Sequence, residues 1–493
     1  MSLRSLRVRQ LALVGIAACA LSGCTSVAGP ASAQSAGAPI SAAEAQQGAQ
    51  YHEQFLNEFG GAMTGSQAAY VEQVGKNIAV QSGLANSQSA FNVTLLNSSV
   101  DNAFAVPGGY VYVTRQLVSL MNNEAELAGV LGHEVGHVAA RHSASRQRQA
   151  QRNSILGAIG SILSGVLLGD SSLGQLGQQI FSAAPQLLTA QYSRRQETEA
   201  DNLGIQYLKN AGYDPRAMAT LLQSLAAQTA LDAALQGRDA TMPQWASTHP
   251  DPASRVRAAL AQAGNVAGIT NRDTFLTRID GLLYGDDPQQ GVIEGNTFIH
   301  PDLRLTFTAP NGFYMVNGTR AVSINGQSGQ AQLTTGPYNG NLEAYVRQAF
   351  QAIGGQTQLA PQTLQRTTVN GLPALYGVAR VNTGQQTVDV TVFAYEFSNS
   401  QAFHFAALTP AGRASTFNSM FNSMRRINSN EAAQVIPRRV DVVTARNGDT
   451  VQSLASRMAY SNAQVERFRV LNGLAANAQV VPGEKYKVVV RSS

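Results

Sequence analysis

Beyond residue 24 the chain contains no cysteine: of its 493 residues only Cys19 and Cys24 are of that type. This absence removes disulfides and thiolate metal sites from the processed protein, so a transition-metal centre must be built from histidine and carboxylate. Long apolar runs are missing as well. The most apolar stretch after the start, residues 155–181, is broken by glycine and polar residues and is too short to span a bilayer. No basic segment interleaved with aromatics occurs, and part of the formal charge of +5 comes from arginines in the first ten residues, so no nucleic-acid partner is expected. The remaining composition is that of a globular chain long enough for roughly two to four domains.

The first 24 residues supply what the rest lacks. They begin with arginines, continue in an apolar run and end in the small residues Leu21-Ser22-Gly23-Cys24, which is secretory-signal anatomy. The last four resemble a bacterial lipobox. That resemblance implies removal of residues 1–23, lipidation of Cys24 and attachment to a membrane; Thr25 in place of aspartate implies the outer membrane, facing the periplasm. Residues 24–47 are small, polar and punctuated by proline, as expected of a flexible tether.

The residues Ala125–His142, "AELAGVLGHEVGHVAARH", read as a helix with Asn123 as N-cap and Glu126 three positions on. At 3.6 residues per turn, His133 and His137 project from one face about one turn apart and can grip one ion. Glu134 lies about 100° around, placed to polarise a metal-bound water. Gly129, Gly132 and Gly136 each cost helix stability, so another backbone is expected to pack closely there. His142 is expected to continue this helix as a surface or packing residue. A catalytic zinc wants a third histidine or carboxylate. Sixty residues after His137, Ser193–Gly212 reads as a second helix, closed by Gly212, with Glu197 and Asp201 at i, i+4 beside the small Ala200 and Gly204. By pattern alone the two carboxylates fit either a solvated face or a docked one.

The fold class is α+β and multidomain. Residues 48–270 form a mainly helical core with a small sheet, whose strands come from Phe91–Asn97 and from Asn102–Thr114 around Pro107-Gly108-Gly109. Residues 155–181 read as a loosely packed hairpin. Residues 291–428 alternate like strands, with helices near 342–353 and 414–425, and suggest a separate α+β domain to which no chemistry attaches; His300 and His404 are expected to lack nearby partners. Residues 438–493 read as strand, helix, helix, strand, a small βααβ module. This module resembles LysM, a family that binds N-acetylglucosamine-containing glycans, which implies peptidoglycan as a partner.

Asn102–Arg115, Leu127–His142, Ser193–Pro215 and Ser247–Ala259 occur in that order and resemble the gluzincin family of the CAAX prenyl proteases, specifically its periplasmic lipoprotein branch. The resemblance implies a zincin-type peptidase carrying one Zn2+ per chain on His133, His137 and Glu197. It makes Glu134 the catalytic base and places Asp201 behind a ligand imidazole. It also implies His249 as a fourth ligand that guards the site, with Arg255 and Asn102 contacting substrate or the His249 loop. The strand beginning at Asn102 is then an edge that pairs with extended substrate. The expected activity is zinc-dependent hydrolysis of misfolded or unassembled envelope proteins at the membrane. Rival readings are a peptidoglycan-associated hydrolase and a non-catalytic scaffold joining outer membrane to cell wall.

Overall fold

The fold is that of a computed structural model, which describes residues 37–143, 192–236, 249, 252–354, 359–382 and 387–492. Cys24, expected to be lipidated, the tether as far as residue 36 and the apolar stretch 155–181 lie outside the described residues.

Helix α1 (Ala42–Glu58) starts earlier than a tether ending at residue 47 allows. Ser41 accepts from the Glu44 amide while the Glu44 carboxylate accepts from the Ser41 amide, so a capping box begins the helix in a segment whose small polar residues otherwise read as linker. Helix α2 (Ser66–Ala79) leads to strands β1 (Asn92–Leu96), β2 (Ala103–Val106) and β3 (Tyr110–Thr114). They form a sheet ordered β1-β3-β2 with β1 parallel to β3, and β2 is an edge. The β2–β3 turn needs glycine: Gly108 and Gly109 have φ of +88° and +84°, and a Cβ on either would strike a backbone carbonyl at 2.4 Å.

Helix α3 (Arg115–Leu120) is followed by α4 (Glu124–Ala139), where the Asn123 side chain accepts from the Glu126 amide at 2.9 Å. The Glu126 carboxylate bonds back to the Asn122 amide, one residue before the N-cap. Helix α5 (Arg194–Asn210) stops at Gly212, whose φ is +79°. Helices α6 (Ala217–Gln236), α7 (Pro252–Ala263) and α8 (Arg272–Ile279) complete a shared core in which Ile78, Leu127, Val130, Leu131, Leu208, Leu222 and Phe275 are buried. The core thus runs past residue 270.

Beyond the short strand β4 (Leu283–Tyr284) stands a seven-stranded antiparallel sheet. Its order is Leu364–Val369, Leu372–Asn382, Thr387–Ser398, Gln401–Pro410, Gly329–Thr335, Val322–Gly326, Tyr314–Asn317. Helix Leu342–Gly354 packs Tyr345, Val346 and Phe350 on one face; on the other, Phe307 of a four-stranded sheet joins Phe405, Phe417 and Phe421. His404 and His300 both have partners, contrary to expectation. The His404 Nδ1 lies 2.9 Å from the Tyr345 hydroxyl, and the His300 Nδ1 accepts from the Leu303 amide. Burial pushes His404 down to about 4.

The chain ends in β5 (Arg438–Thr444), α9 (Val451–Ala455), α10 (Gln464–Leu471) and β6 (Lys485–Arg491), with β5 antiparallel to β6. Strand β5 also pairs with β4, Val440 lies in the helical core, and the described residues fall within one compact unit, Ala36–Ser493.

Candidate active site

Helices α4 and α5 meet through their small residues. A Cβ added at Gly204 would lie 3.0 Å from the His133 backbone nitrogen, and one at Gly136 would lie 3.1 Å from the Ala200 carbonyl. This approach resolves the ambiguity of the second helix, because Glu197 and Asp201 are buried against the histidines and do not face solvent.

Four side chains with ligand-type atoms converge: His133, His137, Glu197 and His249, all buried. The His133 Nε2 is 3.0 Å from the His137 Nε2 and 3.2 Å from the His249 Nδ1. The His249 Nδ1 is 3.0 Å from the Glu197 Oε1, itself 3.4 Å from the His137 Nε2. Glu134 is fully buried beside them, its Oε1 3.5 Å from the His249 Nε2.

A second layer holds the first. Asp201 Oδ1 lies 2.9 Å from the His133 Nδ1, and both Asp201 oxygens accept from Arg255, at 2.7 and 2.8 Å. The same guanidinium reaches Glu197 at 2.7 Å and donates to the His249 carbonyl at 3.2 Å, so Arg255 ties α5 to His249. Burial works against the charge on Glu197 and Asp201, but the pairings outweigh it: Glu197 is held far below the usual carboxylate range by His249, His137 and His133, and Asp201 is lowered by Arg255 and His133. For His137 burial prevails and keeps the imidazole neutral, the form a metal ligand needs; for His133 the Asp201 contact wins and raises it.

The sequence reading missed two residues here. His142 does not continue α4: the helix stops at Ala139, Arg141 takes a left-handed φ of +54°, and helical residues resume at His142. His142 is thereby buried with its Nδ1 2.8 Å from the His137 Nδ1. Tyr192 stacks on the His137 ring, centroids 3.7 Å apart at 17°. Helical periodicity ends before either residue, so no local pattern pointed to them. Asn102 is buried at the start of β2 and exchanges hydrogen bonds with Thr114; among the described residues its Oδ1 has no partner, and no hydrogen bond joins it to the cluster.

Residues 65–263 match the profile of peptidase family M48. The matched stretch is less than half of the chain. The chain is similar to the β-barrel assembly-enhancing protease of Escherichia coli strain K12, 32% identical over 201 residues covering 39% of each chain, and to that of Yersinia pestis, 34% identical over 40% of this chain and 39% of the relative. It is also similar to the mitochondrial metalloendopeptidase OMA1 of Schizosaccharomyces pombe, 32% identical over 42% of this chain and 57% of the relative. The match thus spans about two fifths of the length of the bacterial relatives. Among the described residues no helix is long and apolar enough to cross a membrane.

Proposed function

We propose that the chain is a zinc-dependent endopeptidase of the bacterial envelope, with His133, His137 and Glu197 holding the ion and His249 at the fourth position. One observation carries this reading. A tetrahedral zinc site with N and O ligands about 2.0–2.1 Å from the ion has ligand atoms about 3.3 Å apart; here the Nε2 atoms of His133 and His137, the His249 Nδ1 and the Glu197 carboxylate make contacts of 3.0 to 3.7 Å, and one ligand atom from each of the four lies within 4.8 Å of the others. Four buried polar side chains drawn so close have no packing reason to meet.

Zinc, when bound, supplies Lewis-acid polarisation of a peptide carbonyl and acidification of water. Glu134 then takes the proton from the attacking water and returns it to the leaving amine. Asp201 fixes the His133 tautomer so that Nε2 faces the site, and Arg255 fixes Asp201. His249 fills the position that substrate or water needs, so this arrangement is a resting one. Strand β2, the edge of the small sheet, offers backbone groups to an extended substrate, which selects unfolded chains with little regard to sequence. With Cys24 lipidated, such an enzyme would clear misfolded or unassembled proteins at the outer membrane. Asn102 would then orient the substrate-pairing edge, and the βααβ segment would hold peptidoglycan nearby.

The deciding experiment incubates zinc-loaded protein with unfolded casein and with purified peptidoglycan, for wild type and Glu134→Gln. Casein is expected to be cut, one zinc per chain to be found in both proteins, and the variant to lose at least about a hundredfold in rate, because an amide accepts no proton. Cleavage of wall peptides but not casein would favour the cell-wall hydrolase. No cleavage of either by zinc-loaded wild type would leave the scaffold.

A further inference from the structure

The two histidines of the first metal-binding helix have different supports. His133 leans on Asp201, a carboxylate pinned by Arg255. Among the described residues no carboxylate lies against the His137 Nδ1; that atom faces the Nδ1 of His142 at 2.8 Å. On the other side of the His142 ring, Nε2 lies 3.4 Å from the Glu199 Oε2. Resting on the zinc reading above, we propose that His142 is a positioning residue for the metal site, its Nδ1 accepting the Nδ1 proton of His137 so that the His137 Nε2 is left bare toward the ion.

The tautomers follow from the geometry. The His137 Nε2 points at the His133 Nε2 and at Glu197, where a metal ligand must present a lone pair, so its proton sits on Nδ1. A proton there needs an acceptor, and the atom within reach is the His142 Nδ1. His142 must then carry its own proton on Nε2, the nitrogen that faces Glu199. Each ring's tautomer is consistent with the next, ending in a half-exposed carboxylate on the outer side of α5.

The backbone around His142 is built to hold this pose. Arg141, in the left-handed region at φ +54°, breaks α4 from the helical residues His142 and Ser143. From the start of α5, Gln196 donates to the His142 carbonyl at 3.5 Å, and the Tyr192 and Ser143 hydroxyls lie 3.3 Å apart. Tyr192, stacked on His137, restrains the same imidazole from its face. The helix that brings Glu197 to the site therefore also clamps the turn that orients His137.

The test compares His142→Phe, which keeps a ring but no acceptor, with His142→Asn, whose Oδ1 falls near the position of the lost Nδ1. Zinc affinity is read by chelator competition, ligand electronics by the visible spectrum of the cobalt-substituted protein, and folding by the melting of the metal-free form. His142→Phe is expected to bind zinc about 10- to 100-fold more weakly with a shifted cobalt spectrum, and His142→Asn to recover most of both. A folded Phe variant with wild-type zinc affinity and cobalt spectrum would overturn the inference, as would equal losses in the two variants, which mark a packing role. Should the Phe variant not fold, the wild type decides. Selective 15N-histidine labelling of the zinc protein is expected to show a through-hydrogen-bond coupling between the two Nδ1 nuclei, and two resolved rings without it would refute the pairing. Wild type that takes up no zinc sinks the metal reading itself, an outcome separate from all of these.

Discussion

At the scale of single residues, the proposed zinc site turns on His249. It is 1% exposed, its Nδ1 sits among the other three donors, and its carbonyl is held by Arg255. A catalytic zinc keeps one position open, whereas four protein donors close it. His249→Ala is therefore expected to raise basal cleavage of unfolded casein several-fold while zinc stays near one per chain, because three ligands remain. Zinc analysis beside a casein assay checks this; a zinc-loaded variant with lost activity would instead make His249 a group that stabilises the transition state. The sequence exposed these residues unevenly. His133, Glu134, His137, Glu197 and Asp201 sit inside regular helices, where spacing alone tells which side chains share a face. His249 and Arg255 follow a proline-rich segment without a period, and only resemblance pointed to them. His142 was misread because one left-handed residue, Arg141, breaks the period on which the reading depended.

At the scale of elements, the α4–α5 contact shows how glycines were legible as a group but not one by one. Three glycines in two turns announced a close neighbour, yet they differ in what they do. A Cβ at Gly129 would meet its nearest atom at 3.6 Å, ordinary contact, while one at Gly204 would meet the His133 nitrogen and the Gly132 carbonyl carbon at 3.0 and 3.2 Å, backbone that cannot move aside. Alanine in a helix interior gains about 1 kcal/mol over glycine, and overpacking costs about 1–3 kcal/mol. Gly129→Ala is thus expected to stabilise by up to about 1 kcal/mol with zinc binding unchanged. Gly204→Ala should destabilise by about 1–2 kcal/mol net and lower zinc occupancy, since it pushes Glu197 away from the histidines. Denaturant unfolding and metal analysis separate the two; equal effects would mean that the helices do not meet as described. Strand pairing was less legible. Alternation marked 92–96 as a strand, but its parallel partner β3 lies 18 residues on, and nothing local specifies a non-local pairing.

At the scale of the whole molecule, the C-terminal segment meets the helical core at Lys487. In a strand, a lysine reads as a solvated position, yet Lys487 is fully buried and its ammonium donates to the carbonyls of Ser119, Leu120 and Met121, the end of α3 just before the N-cap of α4. Burial pushes it down to about 7, against the pull of Glu126 on the first turn of α4. The C-terminal βααβ segment thereby grips the start of the helix that carries His133 and His137, and β5 adds Val440 to that helix's core. Lys487→Met strands the Ser119 and Met121 carbonyls, while the Leu120 carbonyl keeps the Asn122 side-chain amide, and it removes the cation that faces Glu126. Breaking such a buried arrangement costs about 3 kcal/mol. The pH dependence has a definite sign. With the folded value near 7 and the free value 10.5, the unfolded chain holds the extra proton between them, so wild-type stability rises with pH across that window. Lys487→Met should show a lower unfolding midpoint and a flatter slope there, with casein cleavage falling as the site loosens, and a chain ending at residue 434 should lose still more. If the shortened chain kept the wild-type midpoint, zinc content and activity, the segment would be an independent module after all, free to serve a glycan without reference to the peptidase.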